Sequence, residues 1–556
     1  MFRNRKGLTT KLWTILLATI IITATIVGIF AYYMYNKPEP APESPTLRIE
    51  ADREGTSIDP AVSPGSLDNL FDYTGFDNLY SLRGNKSGDV TPKPALAESN
   101  EVTADGRTWT FHLRQDAKFS NGDPINATAV VYSFDRLFKM GPAAEGMWAW
   151  EGVVSEGNYQ ATDTYTVRIT LDAPFAGFPQ LLSLWFPAIV NPRIVEANGG
   201  VTANATNSKI MVTPLEGLYS GPYKIVGFQP GVGGHIDFEW NEYWYGWKEL
   251  EPNVKKVHIS WTSEAATKIM KLSSGETDFL YNLPASLLPQ VLGIEGVSIE
   301  KHDGWTQHCI IFSGVGKLGM DEKGLLVRQA LCYSFPYEEV LKYAYGGLAK
   351  RSGSGLPSQV WGATSAFKDK YSFSLNKTAE LLDQAGYTAD PVTGNRMSLT
   401  AYFALGAEER KQTFLMWQAR LAEIGVTLDV REAAWTVIAN AMRAGQADIS
   451  SSQWSPDYGD PDDFATPAYA GESSYSWIGS SWKIPELSAL VLEAKTETNQ
   501  TRRLTLYAQI QEWGTENPGR MWYAQLDDVQ VHRSDWHGYF YNPIIKLDFT
   551  RFYKEP

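Results

Sequence analysis

Hydrophobic and polar residues alternate strictly in several short segments, which is the pattern of half-buried β-strands. Trp109, Phe111 and Leu113 alternate with polar neighbours, and the segment 164–171 follows the same rule. Because one face of each segment is apolar and the other polar, we expect antiparallel strands that place one face in a core.

Other segments place apolar residues at helical spacing and end at a stop signal. One predicted helix follows the cap residue Asn126 and has an apolar face of Val130, Phe134, Leu137 and Phe138. Three others end before a glycine: Leu381, Leu382 and Ala385 precede Gly386; Phe414, Trp417, Leu421 and Ile424 precede Gly425; and Leu506, Ile510 and Trp513 precede Gly514. Strands and helices are mixed and no repeat occurs, so the predicted fold class is α/β with mixed sheets.

One apolar run without any charged residue covers residues 16–35 and follows a basic N-terminus that contains Arg3, Arg5, Lys6 and Lys11. About 20 such residues suffice for a helix that crosses a bilayer, and basic residues hold that end in the cytoplasm. Residues 1–36 are therefore predicted to be a cytoplasmic stub and a single membrane anchor, with the large C-terminal part outside the cell. A cleaved signal peptide and a buried core helix are the alternatives.

Residues 37–45, with alternating prolines, predict a stiff extended linker behind the anchor. The remaining residues are too many for one hydrophobic core, so two or three domains are expected. Five Asn-x-Ser/Thr sequons suit an exported glycoprotein; they begin at Asn85, Asn126, Asn204, Asn376 and Asn499.

Composition narrows the classes of partner. The net charge of −14, without a basic patch beyond the N-terminus, argues against nucleic acid. The 19 Trp residues suit either large cores or a cleft that stacks flat ligands. Two cysteines, Cys309 and Cys332, are too few for a disulfide scaffold, and the sequence leaves their pairing open.

No sequence signature of catalysis is found. Gly353-Ser354-Gly355 has the wrong spacing for a nucleophile elbow and reads as a loop, and the seven histidines form no ligand pattern. We therefore expect no enzyme activity, no catalytic residue, no metal site and no cofactor.

From residue 47 to the C-terminus, a series of motifs occurs in a fixed order. The most specific segment, residues 94–137, reads PALAESNEVTADGRTWTFHLRQDAKFSNGDPINATAVVYSFDRL. It is followed by SGPYKI, NEYWYG, SSGETDF, VRQALCYSF, AELLDQAGY and LAEIGVTLDV. This series resembles the extracellular solute-binding proteins of family 5, the oligopeptide, dipeptide and nickel receptors of ABC importers. Asn100 and Pro336 depart from the pattern, where Trp and Asp are usual, and the second change removes a helix cap.

The resemblance implies a two-lobed periplasmic-binding-protein-like fold of the large three-domain type II form. Domain I would comprise residues 46–74, 210–313 and 531–556; domain II would comprise residues 75–209; and domain III would comprise residues 314–530. The solute would bind between domains I and III, and the lobes would close around it.

The resemblance also implies a ligand loop at residues 452–464, SQWSPDYGDPDDF. In peptide-binding members the acid that matches Asp457 pairs with the ligand ammonium, and the Trp that matches Trp454 lines the same pocket, beside Tyr458. A carboxylate next to an indole suits a cation. For the ligand carboxylate, Arg431, Arg443 and Arg351 are candidates that the sequence does not rank.

The predicted function is therefore a membrane-anchored, monomeric receptor that delivers small peptides to an ABC permease in the membrane. An oligosaccharide receptor, a ligand-sensing ectodomain and a surface-anchored hydrolase are the alternatives.

Overall fold

The structure is a computed structural model that describes residues 13, 16–19, 23–28, 44–62, 67–140, 150, 152–200, 210, 212–284, 287–470 and 482–555. The chain divides into two units, residues 1–45 and residues 46–556. In the first unit the described residues 13, 16–19 and 23–28 are helical. Half of the predicted anchor at 16–35 and all of the predicted linker at 37–45 except residues 44 and 45 fall outside the described residues. Among the residues that are described, no helix has the length and apolar character that a membrane span requires.

The second unit contains the strands and helices that position the site. Its strands are β1 Thr46–Ala51, β2 Tyr80–Ser81, β3 Lys93–Pro94, β4 Ala97–Val102, β5 Thr108–Leu113, β6 Tyr159–Asp163, β7 Thr166–Thr170, β8 Tyr223–Gln229, β9 His235–Trp240, β10 Lys256–Trp261, β11 Phe279–Leu280, β12 Val297–His302, β13 Gln307–Phe312, β14 Ala349–Lys350, β15 Met397–Ala404, β16 Val426–Ala433, β17 Ile449–Trp454, β18 Arg520–Leu526, β19 Asp528–Arg533, β20 Trp536–His537 and β21 Tyr553–Lys554. Its α-helices are α1 Leu67–Gly75, α2 Ala127–Met140, α3 Phe178–Leu181, α4 Pro192–Ala197, α5 Ala265–Ser274, α6 Leu288–Val291, α7 Glu322–Ser334, α8 Tyr337–Tyr343, α9 Leu375–Gln384, α10 Glu408–Ala422, α11 Trp435–Arg443, α12 Asp462–Tyr469, α13 Pro485–Thr496 and α14 Gln500–Glu516.

Three larger sheets organise this unit. A seven-stranded sheet has the order β12-β19-β11-β1-β10-β9-β8, and a four-stranded sheet has the order β4-β5-β7-β6. A six-stranded sheet has the order β14-β18-β13-β17-β15-β16, in which β15 runs parallel to both β16 and β17. We call residues 46–302 and 528–555 the first lobe, and residues 303–527 the second lobe. The α/β class is confirmed, and the sheets are mixed as predicted.

The strand and helix predictions are confirmed where amphipathic patterns were clear. Trp109, Phe111 and Leu113 are buried on β5. The side chain of Asn126 accepts a hydrogen bond from the Ala129 N–H at 3.1 Å, and so caps α2. Pro336 precedes α8 without a side-chain cap, as the departure from the family pattern predicted.

Three features differ from the sequence predictions or settle what they left open. Strand β13 lies in the six-stranded sheet and β19 in the seven-stranded sheet, whereas the predicted boundaries at 313 and 531 put β13 in domain I and divide β19 equally between domains III and I. Helix α14 continues through Gly514, which packs closely against the Tyr469 ring instead of ending the helix. Cys309 and Cys332 are both buried free thiols, and burial raises the pKa of Cys309 to about 11.

The six-stranded sheet has two different faces. One face packs on helices α7 to α10, in a core that includes Val327, Leu382 and Trp417. The other face carries Trp454 and Trp522, whose cluster also contains aromatic residues of the first lobe. The second face is therefore where the two lobes meet.

Candidate functional site

The predicted ligand loop begins where strand β17 ends, at the face that meets the first lobe. Trp454 is the last residue of β17, lies opposite Gln307 of β13 and is buried. The next turn is tied to β13, because the hydroxyls of Ser455 and Thr306 lie 3.1 Å apart. Loops at the carboxyl ends of parallel strands are the usual ligand sites of α/β sheets, and β17 is parallel to β15.

Two aspartates of this loop have structural roles. Asp460 is fully buried, and both of its oxygens accept hydrogen bonds from the Arg503 guanidinium, at 2.8 and 3.1 Å. Asp462 accepts a hydrogen bond from the Tyr458 hydroxyl at 2.6 Å and lies 3.5 Å from the Lys495 ammonium. These pairs hold the loop in place, and they make Tyr458 a buried supporting residue of the loop.

The other two aspartates, Asp457 and Asp463, lie near the lobe boundary, because the charges of both act on Tyr73 of the first lobe. Asp457 is half-buried, and its backbone N–H donates to the Asp463 carboxylate at 3.0 Å. Burial, reinforced by the negative charge of Asp457, raises the pKa of Asp463 well above its usual value. No described residue donates a hydrogen bond to the second oxygen of Asp463, which is buried. The loop therefore places the Asp457 carboxylate beside a buried carboxyl group, and the charge of Asp457 disfavours the ionisation of that group.

On the first-lobe side of this boundary lies an aromatic pair, Tyr73 and Trp185. Tyr73, on α1, lies edge-on to Trp185, with ring centroids 6.5 Å apart. Burial raises the pKa of the Tyr73 phenol, and the negative charges of Asp457 and Asp72 raise it further. Across the described chain, neither the Tyr73 hydroxyl nor the Trp185 indole N–H has a hydrogen-bond partner. The negative charge of Asp457 in the ligand loop therefore acts on the Tyr73 phenol across the lobe boundary.

The lobes touch at this boundary. The Gln180 side-chain amide donates to the Gly459 carbonyl at 3.2 Å. A Cβ atom at Gly459 would lie 2.5 Å from a methyl carbon of Val90, so glycine permits this close approach. The ligand loop is therefore in direct contact with the first lobe.

The three predicted arginines lie in different places. Arg431 is exposed on β16, where it pairs with Asp429 at 2.8 Å and with the Tyr402 hydroxyl at 3.1 Å. Arg443 is exposed at the end of α11, shortly before β17 begins, whereas Trp454 ends that strand about 17 Å further on. The structure does not bring Arg443 to the acidic loop.

Arg351 and a fourth arginine complete the set. The Arg351 guanidinium lies 4.0 Å from the centre of the Tyr337 ring, inside the second lobe. Arg410, at the start of α10, donates to the Gln453 side chain at 3.1 Å, one residue from Trp454. Sequence reasoning missed Arg410, Tyr73 and Trp185, because their proximity to the loop depends on strand order and on the meeting of the lobes.

Comparison with known proteins agrees with this architecture. The model of a family described as bacterial extracellular solute-binding proteins, family 5 Middle, matches residues 91–476. A curated relative, the probable D,D-dipeptide-binding periplasmic protein DdpA of Escherichia coli, is 25% identical over 499 residues, which are 89% of this chain and 91% of the relative.

Solved structures share the fold. The periplasmic binding protein DppA of Helicobacter pylori, in complex with the peptide STSA, aligns with a TM-score of 0.76 at 22% identity, over 92% of this chain and 98% of that one. NikA of Brucella suis, in complex with Fe(III)-EDTA, aligns with a TM-score of 0.78 at 21% identity, over 92% and 100% of the two chains.

The predicted periplasmic-binding-protein-like fold is confirmed. The family consists of binding proteins, so the expectation that the chain is not an enzyme is confirmed as well. The chain belongs to the bacterial extracellular solute-binding proteins of family 5.

Proposed function

We propose that this protein is the extracellular receptor of an ABC importer and that it binds peptides between its two lobes, with the peptide α-ammonium group at Asp457. The observation that carries the proposal is the negative charge at the lobe boundary. Burial raises the pKa of Asp463 in the loop and of Tyr73 in the opposite lobe, and the negative charge of Asp457 raises both further. A bound cation would relieve both interactions.

The local chemistry supports an ammonium group in particular. The half-buried Asp457 carboxylate offers an acceptor for a charge-assisted hydrogen bond, and Trp454 and Trp185 provide rings that attract cations. The hydroxyl of Tyr73 and the indole N–H of Trp185 are available for the carbonyl oxygens of a peptide. An oligosaccharide would pack on the rings but has no cation that would pair with the Asp457 carboxylate.

The similarity to proteins named for dipeptides and to a structure that contains a tetrapeptide agrees with this choice of ligand. The ligand carboxylate needs a cation at the other end of the cleft. Arg431 and Arg410 are our candidates, since both lie on the second lobe near the ends of β15 and β16.

The remaining parts of the proposal follow from the predicted anchor. A helix at residues 16–35 would hold a monomeric receptor at the extracellular side of the cell membrane. The permease that transports the peptide would lie in the same membrane. Closure of the lobes would bury the ligand, and its free energy is limited by how much more tightly the closed form binds the peptide.

The test is the thermal stability of the purified chain against di- to hexapeptides and small oligosaccharides. A ligand at 100 times its dissociation constant should add about 2.7 kcal/mol to the free energy of unfolding. We expect shifts with peptides, loss of those shifts in Asp457→Asn, and full shifts in Glu101→Gln, whose side chain is exposed on the first lobe. Shifts with sugars only, or peptide shifts that persist in Asp457→Asn, would refute the proposal.

A further inference from the structure

The ligand loop contains three neighbouring buried acids that differ in their counter-charges. Asp460 is paired with Arg503, and Asp462 lies 3.5 Å from the Lys495 ammonium. Asp463 is 0% exposed, yet no basic side chain in the described part of the chain forms an ion pair with it. Asp463 is therefore buried without a cation of its own.

The two oxygens of Asp463 have different surroundings. One accepts a hydrogen bond from the Asp457 backbone N–H at 3.0 Å, and the Tyr458 N–H acts on the same carboxyl group. The other oxygen is buried, and across the described residues it has no hydrogen-bond partner. An ionised carboxylate would leave this oxygen as a charged acceptor without a donor, which is costly in an apolar environment.

Opposing influences act on the charge of Asp463. Burial is the largest and favours the neutral form, as does the negative charge of Asp457, whereas the two backbone N–H groups favour the carboxylate. Burial and charge prevail, so the pKa of Asp463 is raised well above its usual value. This agrees with the geometry, because a buried carboxyl group without a cation takes up a proton in preference to remaining charged.

A second group without a partner interacts with the same acids from the first lobe. Tyr73 is 8% exposed, and among the described residues its hydroxyl has no hydrogen-bond partner. Burial raises the pKa of Tyr73, and the charges of Asp457, Asp72 and Asp463 raise it further. The lobe boundary thus has two buried polar groups without partners near Asp457, and they point to a polar ligand at this place.

The charged and titratable groups that act on Asp463 or on its neighbours come from three parts of the fold. They are Asp457, Tyr458, Asp460 and Asp462 of the loop, Lys495 and Arg503 of α13 and α14, and Asp72, Tyr73 and Arg83 of the first lobe. The three cations form ion pairs with Asp462, Asp460 and Asp77 respectively. None of these ion pairs includes Asp463.

We propose that Asp463 couples peptide binding to proton release: its carboxyl group is protonated in the ligand-free protein, and the peptide ammonium group at Asp457 drives this proton to the solvent. At most one proton passes from the carboxyl group to the buffer for each peptide bound, and no covalent bond of the peptide changes. This inference rests on the proposed function, because it needs an ammonium group at Asp457.

The coupling follows from the charge of Asp457. That charge opposes the ionisation of Asp463, and a bound ammonium group offsets it, so the pKa of Asp463 falls when the peptide binds. By linkage, the peptide binds more tightly as the pH rises through the range in which Asp463 of the ligand-free protein loses its proton. The receptor would then hold peptides less tightly in acid surroundings.

The test compares wild type with Asp463→Asn, which keeps an acceptor for the Asp457 N–H and resembles the protonated acid. The control is Asp369→Asn, whose side chain is 81% exposed on the second lobe. Calorimetry measures the affinity of the tripeptide Ala-Ala-Ala between about pH 5 and pH 9, at each pH in two buffers of different ionisation enthalpy. The peptide amine, with a pKa of about 8, titrates equally for every variant and cancels in the ratio of affinities.

We expect wild type and Asp463→Asn to bind the tripeptide equally at the acid end. As the pH rises, wild type should gain at least threefold in affinity over this variant and release correspondingly more protons, and Asp369→Asn should follow wild type throughout. A ratio of affinities that stays constant over the whole range would overturn the inference. If Asp463→Asn does not fold, Asp463→Ser, which also removes the titrating group, takes its place in the same comparison.

A second arm needs no peptide. Urea unfolding compares the same proteins between about pH 4 and pH 8. Because the folded-state pKa of Asp463 is raised, wild type should lose stability relative to Asp463→Asn as the pH rises, and the ratio of their unfolding constants should grow by up to about tenfold per pH unit. A constant ratio would contradict a protonated Asp463 and overturn the inference.

Failure of the proposed function has a different signature. Wild type would then bind no peptide at any pH, which removes the coupling as well, while the urea arm would keep its slope. Failure of the coupling alone would leave peptide binding intact, with a ratio of affinities that does not change with pH.

Discussion

The buried pair of Asp460 and Arg503 allows a quantitative prediction about how the ligand loop is held. Their side chains are only 3% and 2% exposed, and the guanidinium also donates to the Ala494 carbonyl at 3.0 Å. Arg503→Met would leave the Asp460 carboxylate buried without its cation. Removing one partner of such a pair costs about 3 to 5 kcal/mol, and we expect that loss in the free energy of unfolding.

Urea denaturation at pH 7 and pH 5 measures this effect. Burial already raises the pKa of Asp460, and loss of Arg503 should raise it further. A carboxyl group with a raised folded-state pKa costs stability when it is ionised, and this cost falls as protonation begins at lower pH. The deficit of Arg503→Met should therefore be smaller at pH 5 than at pH 7.

Two controls make the prediction specific. Arg502→Met breaks an exposed pair with Glu493 and should cost at most about 1 kcal/mol. The double variant Asp460→Leu with Arg503→Met removes both buried charges and should recover much of the loss. A deficit below 1 kcal/mol in Arg503→Met, or one that grows at pH 5, would refute the reasoning.

Three further predictions test other parts of the molecule. Gly459→Ala places a methyl group against Val90 and should weaken tripeptide binding severalfold in calorimetry, with little change in stability. A second substitution, Val90→Ala, should restore the affinity. Failure of that rescue would argue against contact between the lobes. Burial raises the pKa of Asp68 to about 6, so ionised Asp68 costs stability above that pH. As the pH falls from 7 towards 4, protonation of Asp68 should contribute up to about 3 kcal/mol to the free energy of unfolding. In urea titrations Asp68→Asn should lack this contribution, and a difference from wild type that does not change with pH would contradict it. Trp417→Phe removes a buried hydrogen bond of 2.8 Å to the Ser334 hydroxyl and should lower the free energy of unfolding by about 2 kcal/mol; an unchanged denaturation midpoint would contradict this packing.

Local patterns predicted the elements of the fold well. Alternation in β5 and the Asn126 cap of α2 depend on neighbouring residues only, so the sequence contains all the information they need. Helix α14 was predicted to stop at Gly514, but packing against Tyr469 gives that glycine a different role. The sheet to which β13 belongs could not be predicted from its own residues, because β13 pairs with strands that are distant in sequence.

The site was predictable only in part. The family resemblance predicts that the loop around Asp457 binds the ligand, but the roles of its neighbours depend on distant residues. Asp460 is paired with Arg503, 43 positions away, and Tyr73 approaches from the other lobe. Arg443 was a reasonable candidate by charge, yet strand direction puts it at the far end of β17.

The central claim, that Asp457 binds the ammonium group of a peptide, is tested most directly by a thermodynamic cycle in calorimetry. The affinities of wild type and Asp457→Asn are measured for one tripeptide and for its N-acetylated form. Hydrogen bonds to charged groups contribute about 1.5 to 3 kcal/mol, and we predict a coupling free energy of that size between Asp457 and the ammonium group. A coupling near zero, with Asp457→Asn folded and the free tripeptide still bound, would contradict the account.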